Sequence, residues 1–368
     1  MTIHMKNRLI LFSVLTLCLA GCSSADRTDS PDVMAVAHRG CWLKDGKEFY
    51  INENCPAGVR MARRFGYPAI ECDVKYTADS VMVIMHDKTI NRTMRLADGY
   101  GKISEPVKVS ETTFEELRTK YVLASTDPSL RIPIPTLEEE LTACKEEGII
   151  AMLHSTIGES HHLAQEILGD RWIGFCSNGD SLFRDTRTRS DVLVLLDPGE
   201  DPAESTIARL QAIGGRCGMS TMKFKMLDKA YIDAVKDAGF EVQASIFKTP
   251  HEQRALTDGV TIELSDFFWY QTEGRKPVET WKERKVTLKA GEKLIWQPSE
   301  KEFAAMVFDI DFEGELLVNL NGREYPLTHE TPGLERFGLR MYRTAPSITV
   351  EAVSDTRISS AYGRLYEI

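Results

Sequence analysis

Glu71 and Asp73 lie two positions apart inside the apolar run Ala69-Ile70-Glu71-Cys72-Asp73. In an extended strand, side chains two apart share a face. Two like charges on one buried face are costly, and a divalent cation between them is the usual remedy. At an exposed strand end the pair would merely be solvated, so burial of this segment decides between a metal site and an ordinary surface. Three further clusters carry reactive groups. His38-Arg39-Gly40 follows the apolar run Val33–Ala37, His86-Asp87 follows Val81–Met85, and Asn91-Arg92-Thr93 comes just after. Histidine titrates near neutrality and suits proton transfer, while the planar fork of arginine suits phosphate or carboxylate. A fourth segment, Glu53-Asn54-Cys55-Pro56, reads by itself as helix-capping. Alone, the His38 tripeptide is equally compatible with a solvated loop.

These groups need a scaffold that presents strand ends side by side. Apolar runs at Val33–Ala37, Ala69–Asp73, Val81–His86, Ile149–His154, Ile173–Cys176, Val192–Leu196, Arg216–Met219, Glu241–Phe247 and Val260–Leu264 read as strands. Helical patterns fall at Pro56–Phe65, Thr136–Glu147, Ser160–Leu168, Ala203–Ile213, Leu227–Ala238 and Pro250–Thr257. Such alternation implies a parallel sheet, and its length fits a TIM-type (β/α)8 barrel, with a doubly wound open sheet as the other architecture it allows. The stretch between Asp73 and Val81 is too short for a parallel crossover, so Val81–His86 is expected to fold back antiparallel, outside the barrel's set of eight. Barrel strands carry functional groups at their C-terminal ends, which is where His38, Asp73 and His154 fall.

From Lys285 onward the period changes to two. Phe308, Ile310 and Phe312, then Leu316, Val318 and Leu320, alternate with polar residues up to the hairpin signal Asn321-Gly322. The pattern predicts a small, sandwich-like all-β domain over 285–368, joined by a linker over 269–284 to a barrel over 33–268. At the other end, Lys6 and Arg8 precede the short apolar run Leu9–Leu19, and Leu19-Ala20-Gly21-Cys22 follows. This resembles the bacterial lipobox: a signal peptide over 1–21, lipid on Cys22, and a polar tether over 22–32. An exported, lipid-anchored protein at the outer membrane, on its periplasmic or cell-surface side, is the expectation. The formal net charge of −10 argues against nucleic acid as a partner. The six cysteines that follow Cys22 form no Cys-x-x-Cys pair, so free core thiols are expected rather than a zinc site. His161-His162 reads as a solvated pair.

In order and spacing, the reactive clusters resemble the glycerophosphodiester phosphodiesterase family. Its HRG, E-N-T, E-x-D, D-V-x-x-T-x-D, H-D and R-x-T segments match His38-Arg39-Gly40, Glu53-Asn54, Glu71-x-Asp73, Asp73–Asp79, His86-Asp87 and Arg92-x-Thr93. Ile132–Glu139 is similar to its I-P-T-L-E-E. The resemblance implies that His38 and His86 are the acid–base pair, that Arg39 binds a phosphate oxygen, and that Glu71 and Asp73 hold one divalent ion, Ca or Mg. It also implies attack by the substrate's own neighbouring hydroxyl through a cyclic phosphate.

The family's next strand ends in Glu-x-Lys, a third metal ligand and a phosphate contact. Here His154 and Thr156 occupy those positions. If His154 is a ligand, its nitrogen tilts preference toward Mn or Zn. Lys223 or Lys225 would then supply the missing cation. The expected function is metal-dependent hydrolysis of small phosphodiesters, with glycerophosphodiesters first. The alternative is a non-catalytic surface lipoprotein with a drifted site, binding phosphate or glycan. In either case the β domain is a candidate for docking glycan or protein.

Overall fold

The computed structural model describes residues 34–368 except 178, 187–190, 222–228, 248–259, 266–274, 321, 339–341 and 368. The signal segment and Cys22, both lysines named above (Lys223 and Lys225), and the helix expected at 250–257 lie outside the described residues. In chain order the barrel half contains β1 (Met34–Ala37), β2 (Leu43–Asp45), β3 (Glu48–Ile51), α1 (Pro56–Arg64), β4 (Ala69–Tyr76) and β5 (Met82–Ile84). It continues through β6 (Met94–Leu96), α2 (Phe114–Lys120), β7 (Tyr121–Leu123), α3 (Leu137–Glu147), β8 (Ile150–His154) and α4 (Gly158–Leu168). Then come β9 (Trp172–Ser177), α5 (Asp180–Thr186), β10 (Leu193–Asp197), α6 (Ala203–Ile213), β11 (Cys217–Thr221), α7 (Lys229–Asp237), β12 (Glu241–Phe247) and β13 (Ile262–Ser265).

Eight of these strands pair in parallel and close on themselves. The order is β1-β4-β8-β9-β10-β11-β12-β13, and β13 returns to β1 through Met34↔Ile262 to Ala37↔Ser265. Period two divides each strand. Val36, Ala69, Met152, Ile173, Phe175, Leu193, Leu195, Ile262 and Leu264 form one buried cluster inside the barrel. Their alternates, such as Ile70, Cys72, Ala151 and Leu153, join the core beneath the helices. β5 folds back antiparallel on β4 through Val74↔Ile84, as the short connection requires. The six cysteines are free and buried, small residues of that packing.

The Thr-Leu-Glu-Glu segment is a capping box: Thr136 accepts from the Glu139 amide while Glu139 accepts from the Thr136 amide. The helix it starts, α3, buries Leu137, Glu140, Leu141 and Cys144, a stripe at helical spacing. α5 was not legible as a helix. It is seven residues long, held by the buried Phe183 and by Arg209 donating to both oxygens of Asp180. The expected solvated His pair is corrected too: only His162 is exposed. His161 is buried against Trp172 and Phe183, and desolvation lowers it to about 4.

The C-terminal domain comprises β14 (Glu279–Leu288), β15 (Lys293–Trp296), β16 (Glu302–Leu320), β17 (Arg323–Gly338), β18 (Tyr342–Thr344), β19 (Ile348–Ala352) and β20 (Thr356–Glu367). Every pairing among these strands is antiparallel. β14 begins inside the segment read as a linker. The alternating residues Phe308, Ile310, Phe312, Leu316, Val318 and Leu320 all face a separate core. The hairpin turn falls where Asn-Gly placed it, between Leu320 and its partner Arg323. β17 pairs only with β16 among the described strands and carries Pro326 and Pro332. The sheet also takes in the barrel's own β2–β3 hairpin, through the parallel bridge Tyr342↔Lys44.

One core residue is costly. Glu140 is fully buried, neither carboxylate oxygen has a hydrogen-bond partner, and desolvation raises it to about 8. A carboxyl raised in the folded state stabilises at low pH and loses that contribution as pH climbs from 4.5 through 8. By pH 8 the loss is roughly 5 kcal/mol at most. Glu140→Leu should therefore raise the melting temperature, by more at pH 8.5 than at pH 5. Calorimetry at the two pH values checks this, and an equal shift at both would refute it.

Candidate active site

β4 delivers Glu71 and Asp73 to the C-terminal mouth of the barrel, and both side chains are buried. β8 runs alongside in register Asp73↔His154, which brings the imidazole to the carboxylates. His154 Nδ1 lies 3.1 Å from Asp73 Oδ1 and 3.8 Å from Glu71 Oε1, and its ring stacks on Phe175 at 4.6 Å. One donor atom from each of the three falls within 4.8 Å of the others. Burial, then the Asp73 charge, pushes Glu71 well above the usual carboxylate range. Burial pushes Asp73 upward as well, but hydrogen bonds from His154 and Asn54 and the charges of His86 and His154 hold it at about 2. Two acids and one imidazole nitrogen, converging where one acid resists ionisation, suit a divalent cation.

The turn after β1 wraps the pair. Arg39 is left-handed at φ 58° and Gly40 at φ 73°, a conformation a non-glycine residue adopts at a cost. It aims the Arg39 amide at Glu71 Oε2, 2.8 Å away, and the Gly40 amide at the Glu71 carbonyl, 2.9 Å away. His38, half-buried, is the first residue beyond β1. Asn54, also left-handed, grips Asp73 twice. Its amide donates to Asp73 Oδ2 at 3.1 Å, and its carbonyl oxygen accepts from the Asp73 backbone amide at 3.2 Å.

Glu53 is the junction between the two halves of the site. Its buried carboxylate accepts from Arg39 Nη1 at 3.1 Å and from Arg92 Nη1 and Nη2 at 2.8 and 2.6 Å. Arg92 also donates to both oxygens of Asp87, and Asp87 Oδ1 lies 2.7 Å from His86 Nδ1. Burial alone would raise Glu53, but the hydrogen bonds of Arg92 and the charges of both arginines hold it below 4.5. Hydrogen bonding from Arg92 first, then from His86, brings Asp87 to about 2. Arg39 Nε is buried without a hydrogen-bond partner, 4.0 Å from Asp73.

The structure thus gathers Arg39, Glu71, Asp73 and His154 at one point, with His38 and His86 on adjoining turns. Thr156 is exposed. What the sequence did not reveal is the junction at Glu53. The available signal was a Glu beside the cap of α1 together with two arginines, but their meeting depends on the folded chain.

Residues 38–160 match the Glycerophosphoryl diester phosphodiesterase family, a stretch that contains Arg39, Glu53, Glu71, Asp73, His86, Arg92 and His154. Over this third of the chain the barrel is similar to that family. Glycerophosphodiester phosphodiesterase 1 of Mus musculus is 35% identical over 122 residues, covering 32% of each chain. Glycerophosphodiester phosphodiesterase of Bacillus subtilis is 28% identical over 37% of this chain and 47% of its own. This chain covers about a third of the length of the mouse relative. Among solved structures, the fold is similar to an Oleispira antarctica phosphodiesterase bound to the product sn-glycerol-3-phosphate. That likeness has a TM-score of 0.50 at 19% identity and covers 65% of this chain and 94% of that one. A Glycerophosphoryl diester phosphodiesterase from Parabacteroides distasonis gives 0.50 at 20% identity, over 68% and 90%.

Because Glu53 is held below 4.5, its contribution to stability is present at neutral pH and lost as pH falls below that value. Glu53→Ala leaves the half-buried guanidinium of Arg39 without its main partner. It should cost about 2–4 kcal/mol at pH 7 and less at an acid pH well below 4.5. Urea unfolding of wild type and variant at both pH values checks this, and a pH-independent difference would refute it.

Proposed function

We propose that this protein hydrolyses small phosphodiesters, with glycerophosphodiesters the first candidates, by His/His acid–base chemistry at a divalent metal. The observation that supports this best is the convergence of the buried Glu71 and Asp73 with the half-buried His154 beside the Arg39 turn. One imidazole of the His38/His86 pair takes the proton of the attacking hydroxyl, and the other protonates the leaving alkoxide. With its Nδ1 proton donated to Asp87, His86 presents Nε2 to substrate. Arg39 is oriented by Glu53 to bind a phosphoryl oxygen. Glu71, Asp73 and His154 would hold the ion, and when bound it would neutralise charge building on the phosphoryl oxygens.

His154 replaces a carboxylate of the family's pattern, so the ligand set loses one negative charge and gains a nitrogen. That favours Mn or Zn over Ca or Mg. Lys223 and Lys225 are proposed as the cations answering the loss of the family's lysine at Thr156. We further propose export and lipid attachment at Cys22, with the domain held at the outer membrane.

The decisive experiment is hydrolysis of glycerophosphodiesters after EDTA treatment, with Ca, Mg, Mn and Zn each added back. Activity should return best with Mn or Zn, His86→Ala should lower kcat about 100-fold or more, and His154→Glu should shift the preference toward Ca or Mg. Silence of the folded protein with every metal would favour the binding-protein reading. Cys22→Ser should move the protein from the membrane fraction to the soluble one.

A further inference from the structure

The β2–β3 hairpin lies between Arg39 and Glu53 in the chain, yet its outer strand pairing is with the C-terminal domain. Arg343 spans the junction. It ion-pairs with Glu302 of its own domain at 3.1 Å, lies 3.7 Å from Asp45 of β2, and sits 4.7 Å over the ring of Tyr50 in β3. Phe303, at the head of β16, is held left-handed at φ 57°, a strained state for an aromatic residue. Its ring stands 5.8 Å from Tyr50 and 4.7 Å below the guanidinium of Arg64 in α1. Ala305, Val307 and Tyr366 of the C-terminal domain belong to the same buried cluster as Leu43, Ile51 and Phe65 of the barrel.

From Tyr50 the chain reaches the site within four residues. The Tyr50 carbonyl accepts from Ser125 at 2.6 Å, and Asn52 donates to the carbonyls of Thr93 and Ala124 at 2.8 Å each. Glu53 and Asn54 follow, the one gripping Arg39 and Arg92, the other gripping Asp73. Strain at Phe303 persists because the contacts around it over-determine the position.

We propose that the C-terminal β domain braces the catalytic loop, with Arg343 and Phe303 as positioning residues that fix the segment from Arg39 to Asn54. This gives the domain a role inside the chain, in place of an outside ligand. The kinetic part of the proposal rests on the hydrolase reading; the structural part does not.

The test uses the full chain carrying Arg343→Ala, Phe303→Ala, or both, with Arg343→Lys as the conservative control. Amide hydrogen exchange should quicken over 41–55 while the strands β9 to β11 keep their protection. With glycerophosphodiester substrate, kcat should fall several-fold at nearly constant KM, more in the double variant, and Arg343→Lys should recover most of it. Unchanged exchange over 41–55 would overturn the brace, and looser exchange at unchanged kcat would overturn its role in positioning the site. If wild type hydrolyses nothing, the functional reading fails alone, and exchange over 41–55 still decides whether the domain holds the loop.

Discussion

Two carboxylates on one face of a buried strand set the terms for the rest of this structure. Glu71 and Asp73 gain no relief from water, so the chain surrounds them with compensation: an imidazole from the neighbouring strand, the Arg39 amide of a strained turn, and an asparagine that holds one acid from both ends. The left-handed residues Arg39, Gly40 and Asn54 all occur around this pair. At Arg39 and Asn54 the unfavourable backbone turns donors toward charge.

A second tier of charge holds the first. Arg39 needs a fixed direction, and Glu53 supplies it. Glu53 in turn shares Arg92 with Asp87, which faces His86. One buried carboxylate thereby couples the group suited to binding phosphate to a group suited to moving protons. Arrangements of this kind are strongly non-additive, because removing one member leaves the others charged and misdirected.

Much of this was legible in the sequence. The period-two run around Glu71 and Asp73, the antiparallel return at Val81–His86, the capping box and the Asn-Gly hairpin each express a local rule, and the structure obeys them. What could not be read depends on distant partners. β2 and β3 are three and four residues long, too short for a period to show, and they are stabilised by a strand almost three hundred positions later. α5 is fixed by Asp180 meeting Arg209, and His161 turns inward because Trp172 and Phe183 offer it a place. The junction at Glu53 joins residues 14 and 39 positions away.

Long β-strands carry a hazard that this architecture answers at two places in its sheet. An uncovered edge offers unpaired amides and carbonyls to any other extended chain. Along β17 the two prolines interrupt that row of donors. In the direction of β18, the position is taken by β2 and β3 from the chain's own barrel, so the place where a foreign strand would add is filled by a segment already committed to the site. The hairpin placed beside the mouth of the barrel thereby also occupies the β18 side of the sheet, where an added strand would otherwise pair.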